Sequence, residues 1–340
     1  IASEDVPVIK VGAVTSGRAL DKCIKRFDHG EDWRERPDTG YVIGATPFAT
    51  CTERLQNFAF DTVIFDEASQ ITVPLAVMAM RKARRFVFVG DHKQLPPVVL
   101  SKSVLNSSGF SVFSKLITKN PMTSTMLSHT YRMNQVLSRW PSDHHYEGKL
   151  IAAGANASRQ FALPEFPKKY DEILDGKNAF VFIESPGSNA RTANRAEAEL
   201  VVDLVATAFD AGLSPGEIGI VTPYRSHGKM MRGMLAQKFG RLIEPIVTDT
   251  VERMQGQERE MIIISLCSTD KQFIQAIAPF FFQYERLNVS ITRPKTKLIL
   301  IGPRISSDFS AGSHDVELQA MIDSYRSLVS CATACRTGVV

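Results

Sequence analysis

Cysteine is scarce in this sequence, with five residues among 340. The cysteines are scattered, and none forms a C-x-x-C pair or a zinc-type spacing with histidine. Cys331 and Cys335 lie four residues apart, but the other ligands that a structural zinc ion needs are not available around them. We therefore expect no metal role for these thiols and a reduced, intracellular protein. The cysteines are Cys23, Cys51, Cys267, Cys331 and Cys335.

Long apolar runs and a strong excess of one charge are also lacking. No stretch approaches the ~18 apolar residues of a membrane-spanning helix, and no signal-peptide pattern occurs, so we expect no membrane partner. The 40 Lys and Arg against 36 Asp and Glu give a formal charge of +4, which is too mild to indicate nucleic-acid binding by itself. A hydrophobic content of 44% over 340 residues is sufficient for two packed domains, and we expect a monomer.

The sequence does contain a repeated alternation of short apolar segments with segments of helical period. Strands that are apolar on both faces and alternate with helices indicate parallel sheets flanked by helices, which is an α/β fold. The strand-like segments are YVIGAT (41–46), TVIFD (62–66), FVFVGD (86–91), AFVFIE (179–184), EIGIVTP (217–223), MIIISLC (261–267) and KLILIG (297–302). The helix-like segments are ITVPLAVMAMRKA, ANRAEAELVVDLVATAFDAG and SHGKMMRGMLAQKFG.

A segment from about Pro141 to Lys177, rich in Pro, Gly, Asn and Lys, interrupts this alternation. We therefore predict a first lobe over 1–127 and a second lobe over 128–312, with the connecting segment inside the second lobe. A C-terminal amphipathic helix and tail follow over 313–340 and are expected to pack on the second lobe.

Acidic residues follow two of the predicted strands at the point where each strand ends. Asp66 and Glu67 follow TVIF, and Asp91 follows FVFVG. In open parallel sheets ligands bind beyond the carboxyl ends of the strands, although an Asp after a strand can also serve only to cap the next helix. Adjacent acids suit Mg-nucleotide hydrolysis: Asp66 would hold Mg²⁺ through water, and Glu67 would deprotonate the attacking water. Gln94, just after the neighbouring strand, would sense the terminal phosphate by contacting it.

Six ordered motifs together resemble one known family. FDEASQ, VGDHKQLPP, YRMN, TPYRS, TVERMQGQERE and RLNVSITRPK occur in this order. The chain from about Val11 to Gly302 resembles the motor core of superfamily 1 helicases. The most similar branch moves 5′ to 3′ and includes the nonsense-mediated-decay RNA helicase, the senataxin-like proteins and the nuclease-helicases of Okazaki-fragment processing. The resemblance implies two RecA-like P-loop NTPase lobes that use ATP and Mg²⁺.

The resemblance implies nucleotide roles for residues of both lobes. It agrees with Asp66 as the Mg²⁺-binding acid and Glu67 as the base, and it gives Gln94, beside Asp91, the coupling of the γ-phosphate to lobe movement. Arg132 resembles an arginine finger, and Arg293 a second one. Tyr131 resembles the aromatic residue that lies against adenine, and Gly256 and Glu258 resemble the segment that touches both nucleotide and nucleic acid. The alternatives are a surface helix position for Arg293 and core packing for Tyr131.

The resemblance also implies contacts with single-stranded DNA or RNA. Thr46 and Thr222 end equivalent strands of the two lobes, and family members use both on phosphates. Thr250 is a third candidate. Pro223 and Arg225, in TPYRS, would lie beside the nucleic-acid backbone. The alternatives are that the threonines only terminate strands and that Arg225 only opens a helix.

Several positions depart from the family pattern. Pro294 and Lys295 stand where Ala and a basic residue are usual, and His227 stands where Gln is usual. No G-x-x-x-x-G-K-[ST] phosphate loop is present. The family has this loop upstream of the VIKVG stretch, so we expect an incomplete first lobe whose missing N-terminal segment is a partner in catalysis.

The predicted function is that of an ATP-dependent helicase or translocase, on DNA or else RNA, coupling Mg-ATP hydrolysis to movement along one strand. The alternative is an ATPase-inactive fragment that only binds single-stranded nucleic acid. For the 340 residues alone we expect negligible ATP hydrolysis, because the phosphate loop is not among them.

Overall fold

The computed structural model describes residues 6–12, 24–38, 40–98, 110–311 and 315–335. The chain divides into two compact units, Ile1–Ser124 and Thr125–Val340. The predicted boundary after residue 127 lies near this division, and the C-terminal segment over 313–340, which was expected to pack on the second lobe, falls within the second unit. Cys23 lies outside the described residues.

The first unit contains two small parallel sheets. β1 pairs with β2 and β3, and β4 pairs with β5. Phe65 and Phe88, at the ends of β4 and β5, stack with ring centroids 4.6 Å apart. The elements of this unit are β1 (Val8–Val11), β2 (Lys25–Phe27), β3 (Val42–Gly44), β4 (Thr62–Phe65), α1 (Val73–Met80), β5 (Arg85–Phe88) and α2 (Val112–Lys119).

The second unit contains a two-stranded sheet and a six-stranded sheet, in which every strand pairing is parallel. Its strands are β6 (His129–Thr130), β7 (Ile151–Ala152), β8 (Phe180–Glu184), β9 (Ile218–Val221), β10 (Val247–Asp249), β11 (Arg259–Ser265), β12 (Pro294–Gly302) and β13 (Thr333–Ala334). Its helices are α3 (Gln135–His145), α4 (Asp171–Leu174), α5 (Arg195–Asp210), α6 (Arg225–Phe239), α7 (Val251–Met254), α8 (Lys271–Ala276), α9 (Ala278–Phe281), α10 (Tyr284–Ile291) and α11 (Val316–Cys331).

The six-stranded sheet has the order β10-β9-β11-β12-β8-β13. Its central strands are buried on both faces, and most of their residues are apolar. Apolar residues of α5 and α6, among them Leu204 and Met231, pack with Ile220 and Ile263 of the sheet in one core cluster. The predicted α/β fold with parallel sheets flanked by helices is therefore confirmed.

The structure differs from the sequence predictions in several places. The connecting segment was expected to begin at Pro141, but α3 runs through that proline. Trp140 and Pro141 are buried, and Trp140 Nε1 donates to Ser327 Oγ on α11 at 3.2 Å, so tertiary packing outweighs the backbone hydrogen bond that proline removes. Six short strands, of two to four residues each, were not predicted: β1, β2, β6, β7, β10 and β13. Among the described residues, none of the helices has the length and apolar character that a bilayer crossing requires.

Candidate nucleotide and nucleic-acid sites

The turn after β4 carries the two predicted acids of the first unit. Asp66 is exposed, and its Oδ1 accepts the Glu67 N–H at 3.0 Å. Glu67 has φ 50° and ψ 41°, in the left-handed region that costs a non-glycine residue ~1 kcal/mol or more. Strain of this kind is common at functional sites.

The turn after β5 is held directly beside the first turn. The Ala68 N–H donates to the Val89 carbonyl at 2.9 Å, and the Val89 N–H donates to the Phe65 carbonyl at 2.8 Å. A Cβ on Gly90 would lie 2.9 Å from the Ser69 nitrogen, so only glycine permits this approach. The two strand ends are therefore in direct backbone contact, with no room for a side chain between them.

Asp91 and Gln94 lie on this second turn. The Gln94 Nε2 donates to Asp91 Oδ2 at 2.9 Å, while Asp91 Oδ1 accepts the Lys93 N–H at 2.9 Å. Asp91 thus stabilises this turn and also orients Gln94. The four predicted nucleotide-site residues of the first unit lie on two adjacent strand ends.

The acids suit Mg²⁺ held through water. No group of three or more His, Cys, Asp or Glu side chains that could hold a metal ion occurs among the residues that the structure describes. Asp66 is an exposed carboxylate at a strand end, and Mg²⁺ retains several waters and needs only one or two protein carboxylates. The geometry therefore fits a water-mediated Mg²⁺ contact.

In the second unit Arg132 and Glu258 form an ion pair. Arg132 Nε lies 2.7 Å from Glu258 Oε2, and Lys295 Nζ lies 3.0 Å from Glu258 Oε1. Arg132 Nη1 also donates to the Thr292 carbonyl at 3.1 Å. Partial burial opposes ionisation of Glu258, but the hydrogen bonds and charges of the two cations outweigh it and lower the pKa of the carboxyl group. Glu258 is thus an anionic bridge between Arg132 and Lys295.

Tyr131 presents its ring to solvent. The side chain is 67% exposed, so the core-packing alternative is wrong. Gly154, at φ +67°, lies beneath the ring, and a Cβ there would approach Tyr131 Cδ1 to 3.2 Å. The Asn156 side-chain amide donates to the Tyr131 carbonyl. The ring is therefore supported from below and open for stacking on its outer face.

Arg293 is buried, with 2% of its surface exposed, so the surface-helix alternative is also wrong. Its Nε donates to the Val289 carbonyl at 2.9 Å, and its Nη1 donates to the Gln257 carbonyl at 3.4 Å. Pro294 is the first residue of β12, a position where its missing N–H disturbs no ladder. The structure does not bring the Arg293 guanidinium to the surface, although it lies next to Thr292, which Arg132 contacts.

Most of the predicted nucleic-acid residues of the second unit line one cleft at the carboxyl ends of β9 and β10. The cleft has a volume of about 90 Å³. Thr222 is fully buried, and its Oγ1 has no hydrogen-bond partner in the structure. A buried hydroxyl without a partner calls for an explanation, and a ligand in the cleft is one. The lining residues are Thr222, Arg225, Gly228, Arg232, Asp249, Thr250 and Arg253.

Sequence reasoning missed Arg232 and Arg253. Arg232 lies seven residues after Arg225 on α6 and so on the same helix face, a spacing that could have identified it. Arg232 Nη1 donates to the Thr248 carbonyl, and Arg253 Nη1 lies 3.3 Å from Asp249 Oδ2. Three arginines and one aspartate therefore line one cleft.

Outside the cleft, Thr46 and Gly256 have local structural roles, and Pro223 and Thr250 each lie just before a helix. Thr46, exposed in the first unit, accepts the Ala49 N–H at 3.4 Å and caps a short 3₁₀ helix. Pro223 is half-buried between β9 and α6. Thr250 precedes α7 without a side-chain cap. Gly256 has φ +73° in the turn before β11, which explains glycine there.

Comparisons with known proteins agree with the motifs. A family described as "AAA domain" matches residues 109–305, and a second family of the same description matches residues 33–102. The DNA replication ATP-dependent helicase/nuclease DNA2 of Homo sapiens is 33% identical over 266 residues, which cover 72% of this chain and 24% of that protein. Helicase SEN1 of Saccharomyces cerevisiae is 32% identical over 259 residues, covering 72% and 11%. The uncharacterized ATP-dependent helicase MJ0104 of Methanocaldococcus jannaschii is 33% identical over 272 residues, covering 77% and 38%.

The chain thus spans about a quarter of the length of human DNA2. The first family match covers more than half of the chain, and the resemblance drawn from the ordered motifs is confirmed. The chain belongs to the AAA-domain family, as a superfamily 1 helicase core of the group that includes the nonsense-mediated-decay and senataxin-like helicases.

Proposed function

We propose that this chain is part of the motor of an ATP-dependent helicase that moves along single-stranded nucleic acid, inside the cell. Its family and the retention of Glu67, Gln94, Arg132 and Arg293 support this function. The ATPase-inactive binding fragment is less favoured, because a module that only binds nucleic acid has no need of a water-activating acid or arginine fingers.

The arginine-lined cleft at the ends of β9 and β10 carries the proposal. A cleft of about 90 Å³ suits a small anionic group such as one phosphate. Guanidinium groups bind phosphate oxygens in a fork geometry, and the Thr222 hydroxyl supplies a further donor. Phosphate contacts of this type position a strand without reading its sequence.

Side chains of each unit have proposed roles in binding and hydrolysing ATP. Asp66 would hold Mg²⁺ through water, and the ion would neutralise charge on the phosphates. Glu67 would accept the proton of the attacking water, and Gln94, oriented by Asp91, would contact the terminal phosphate. Arg132 would stabilise charge on the transferring phosphoryl group, and Tyr131 would stack on the adenine. For Arg293, the second proposed finger, contact with a phosphate requires its side chain to leave its buried carbonyl partners.

We propose single-stranded DNA as the substrate, with RNA as the second candidate. Several relatives are DNA helicases by name, among them DNA2 and the DNA polymerase alpha-associated DNA helicase A of Schizosaccharomyces pombe. Discrimination between the two requires a contact that senses the 2′-hydroxyl. Comparing DNA and RNA oligonucleotides of one sequence tests this choice.

The binding test is fluorescence anisotropy with a labelled single-stranded oligonucleotide at several salt concentrations. Arg225→Ala and Arg253→Ala should each weaken binding about tenfold and lower the slope of log K against log[salt] by about 0.7. Arg195→Ala is the matched control, because Arg195 is exposed on α5 and pairs only with Glu199 among the ion pairs of the described residues. Unchanged affinity and slope in both cleft variants would remove the cleft from the strand path.

A further inference from the structure

A buried polar chain connects the first turn of α6 to α5 through the end of β11. His227, Ser265 and Glu197 are each fully buried. His227 Nε2 lies 2.8 Å from Ser265 Oγ, and Ser265 Oγ lies 2.6 Å from Glu197 Oε1. The proposed nucleotide and nucleic-acid contacts use none of these three side chains.

The hydrogen bonds of this chain run in one direction. The Asn194 backbone N–H donates to His227 Nδ1 at 3.4 Å, so Nδ1 is an acceptor, and we assign the ring proton to Nε2. Nε2–H then donates to Ser265 Oγ, which donates to Glu197. Burial lowers the pKa of His227 to about 4, which is consistent with a neutral ring in this arrangement.

Glu197 is the terminal acceptor of the chain. Its Oε1 also accepts the Cys267 N–H at 3.0 Å, and its Oε2 accepts the Ser185 hydroxyl at 2.5 Å. Ser185 follows β8, and Cys267 follows β11. The carboxylate therefore joins the ends of two strands, and the only side chain of α6 in this chain of hydrogen bonds is His227.

The chain lies directly behind the arginine-lined cleft. His227 is two residues after Arg225 and five after Thr222. A Cβ on Gly228, the next residue, would lie 3.3 Å from the Thr222 methyl group. A shift of His227 would therefore carry the first turn of α6 against Thr222 and move the Arg225 guanidinium.

We propose that His227 is a positioning residue: through Ser265 and Glu197 it fixes the first turn of α6, and with it Thr222 and Arg225, in the arrangement that binds a nucleic-acid phosphate. This inference rests on the proposed function. The side chain at position 227 must accept a hydrogen bond from the Asn194 N–H and donate one to Ser265 Oγ. Glutamine, whose amide has both groups, can satisfy it, whereas leucine cannot.

The experiment measures binding of a labelled single-stranded DNA oligonucleotide by wild type and four variants of the full chain. His227→Leu should weaken binding about tenfold and lower the salt slope by up to about 0.7, because the Arg225 contact is lost. His227→Gln should restore both quantities to within about twofold of wild type. Ser265→Ala, which leaves His227 in place, should weaken binding in the same direction as His227→Leu. Ser324→Ala removes another buried serine hydroxyl, which lies on α11, and should leave binding unchanged.

Circular dichroism checks that each variant is folded, and Ser265→Ala tests the proposal if His227→Leu does not fold. Failure of wild type to bind any single strand would overturn the proposed function itself. Wild-type affinity and salt slope in folded His227→Leu and Ser265→Ala, with binding by wild type intact, would overturn only the positioning role.

Discussion

The guanidinium of Arg132 and the carboxylate of Glu258 lie 2.7 Å apart, although 126 residues separate them in the sequence. The second oxygen of Glu258 is 3.0 Å from Lys295. Arg132 follows the short strand β6, whereas Glu258 directly precedes β11. The pairing therefore depends on how the second unit folds, and it places a proposed arginine finger beside the MQGQERE motif.

Glu258→Gln should impair ATP hydrolysis by misplacing Arg132. The amide keeps the size of the carboxylate but loses the charge that holds both cations. We expect kcat to fall roughly 10- to 100-fold in a chain that includes a phosphate loop, since small displacements of positioning groups have effects of this size. Steady-state ATPase measurements check this expectation, and Glu199→Gln, at an exposed ion pair on α5, is the matched control. Equal turnover in the two variants would contradict the role of Glu258.

Arg132→Ala and Arg293→Ala should differ in what they damage. Arg132 is partly exposed, so its loss should lower kcat by ~10³ or more with little change in stability. Arg293 is buried among backbone carbonyls, so its loss leaves buried acceptors unpaired and should reduce the free energy of unfolding by ~3 kcal/mol. Urea denaturation of both variants measures this difference. If Arg293→Ala is as stable as wild type, its carbonyl contacts contribute little and a finger role becomes the better explanation of its position.

Many of the strands and the order of the chemical motifs could be predicted from the sequence, but only some of the contacts between residues could. The strand ends at Asp66 and Asp91 were predictable because a strand apolar on both faces, followed by acidic residues, is a local signal. The turns after β4 and β5 can lie side by side because Gly90 has no side chain. The sequence indicates such a close approach through this glycine, which directly follows FVFV. Arg232 could have been found from its spacing to Arg225.

The burial of Arg293 and the pairing of Arg132 with Glu258 could not be predicted in this way. The acceptors of Arg293 include the carbonyls of Val289 and Gln257, which lie 4 and 36 residues away. Which carbonyls converge on a guanidinium is decided by the packing of the turn before β11 against α10. Motifs identify residue types in order along the chain, but not the hydrogen-bond partners that tertiary structure selects.

Glu67→Gln should abolish ATP turnover while leaving ATP binding intact, in a chain that includes a phosphate loop. The amide cannot accept the proton of the attacking water. The Gln70 Nε2 donates to Glu67 Oε2 at 3.4 Å, and a glutamine oxygen can still accept this bond, so the turn should keep its shape. Binding of a fluorescent ATP analogue and single-turnover hydrolysis separate the two effects. Gln70→Ala is the control for the loss of this hydrogen bond alone, and wild-type turnover by Glu67→Gln would remove Glu67 from the base role.

The buried pair Glu197 and His227 should give the protein two opposing dependences of stability on pH. Burial raises the pKa of Glu197 from 4.5 to about 7, so between these values the folded state binds more protons than the unfolded state and stability falls as pH rises. Burial lowers the pKa of His227 from 6.5 to about 4, so between these values the unfolded state binds more protons and stability rises with pH.

Single substitutions should separate the two slopes. His227→Gln leaves the contribution of Glu197, so relative to wild type its stability should fall more steeply from pH 4.5 to 6.5. Glu197→Gln leaves the contribution of His227, so its stability should rise with pH over the same range. Urea midpoints at half-unit pH intervals measure both slopes, and subtracting the wild-type curve removes the other titrating groups. Parallel curves for the two variants would mean that neither side chain titrates with the shift that its burial implies, because a pKa unchanged by folding contributes no dependence on pH.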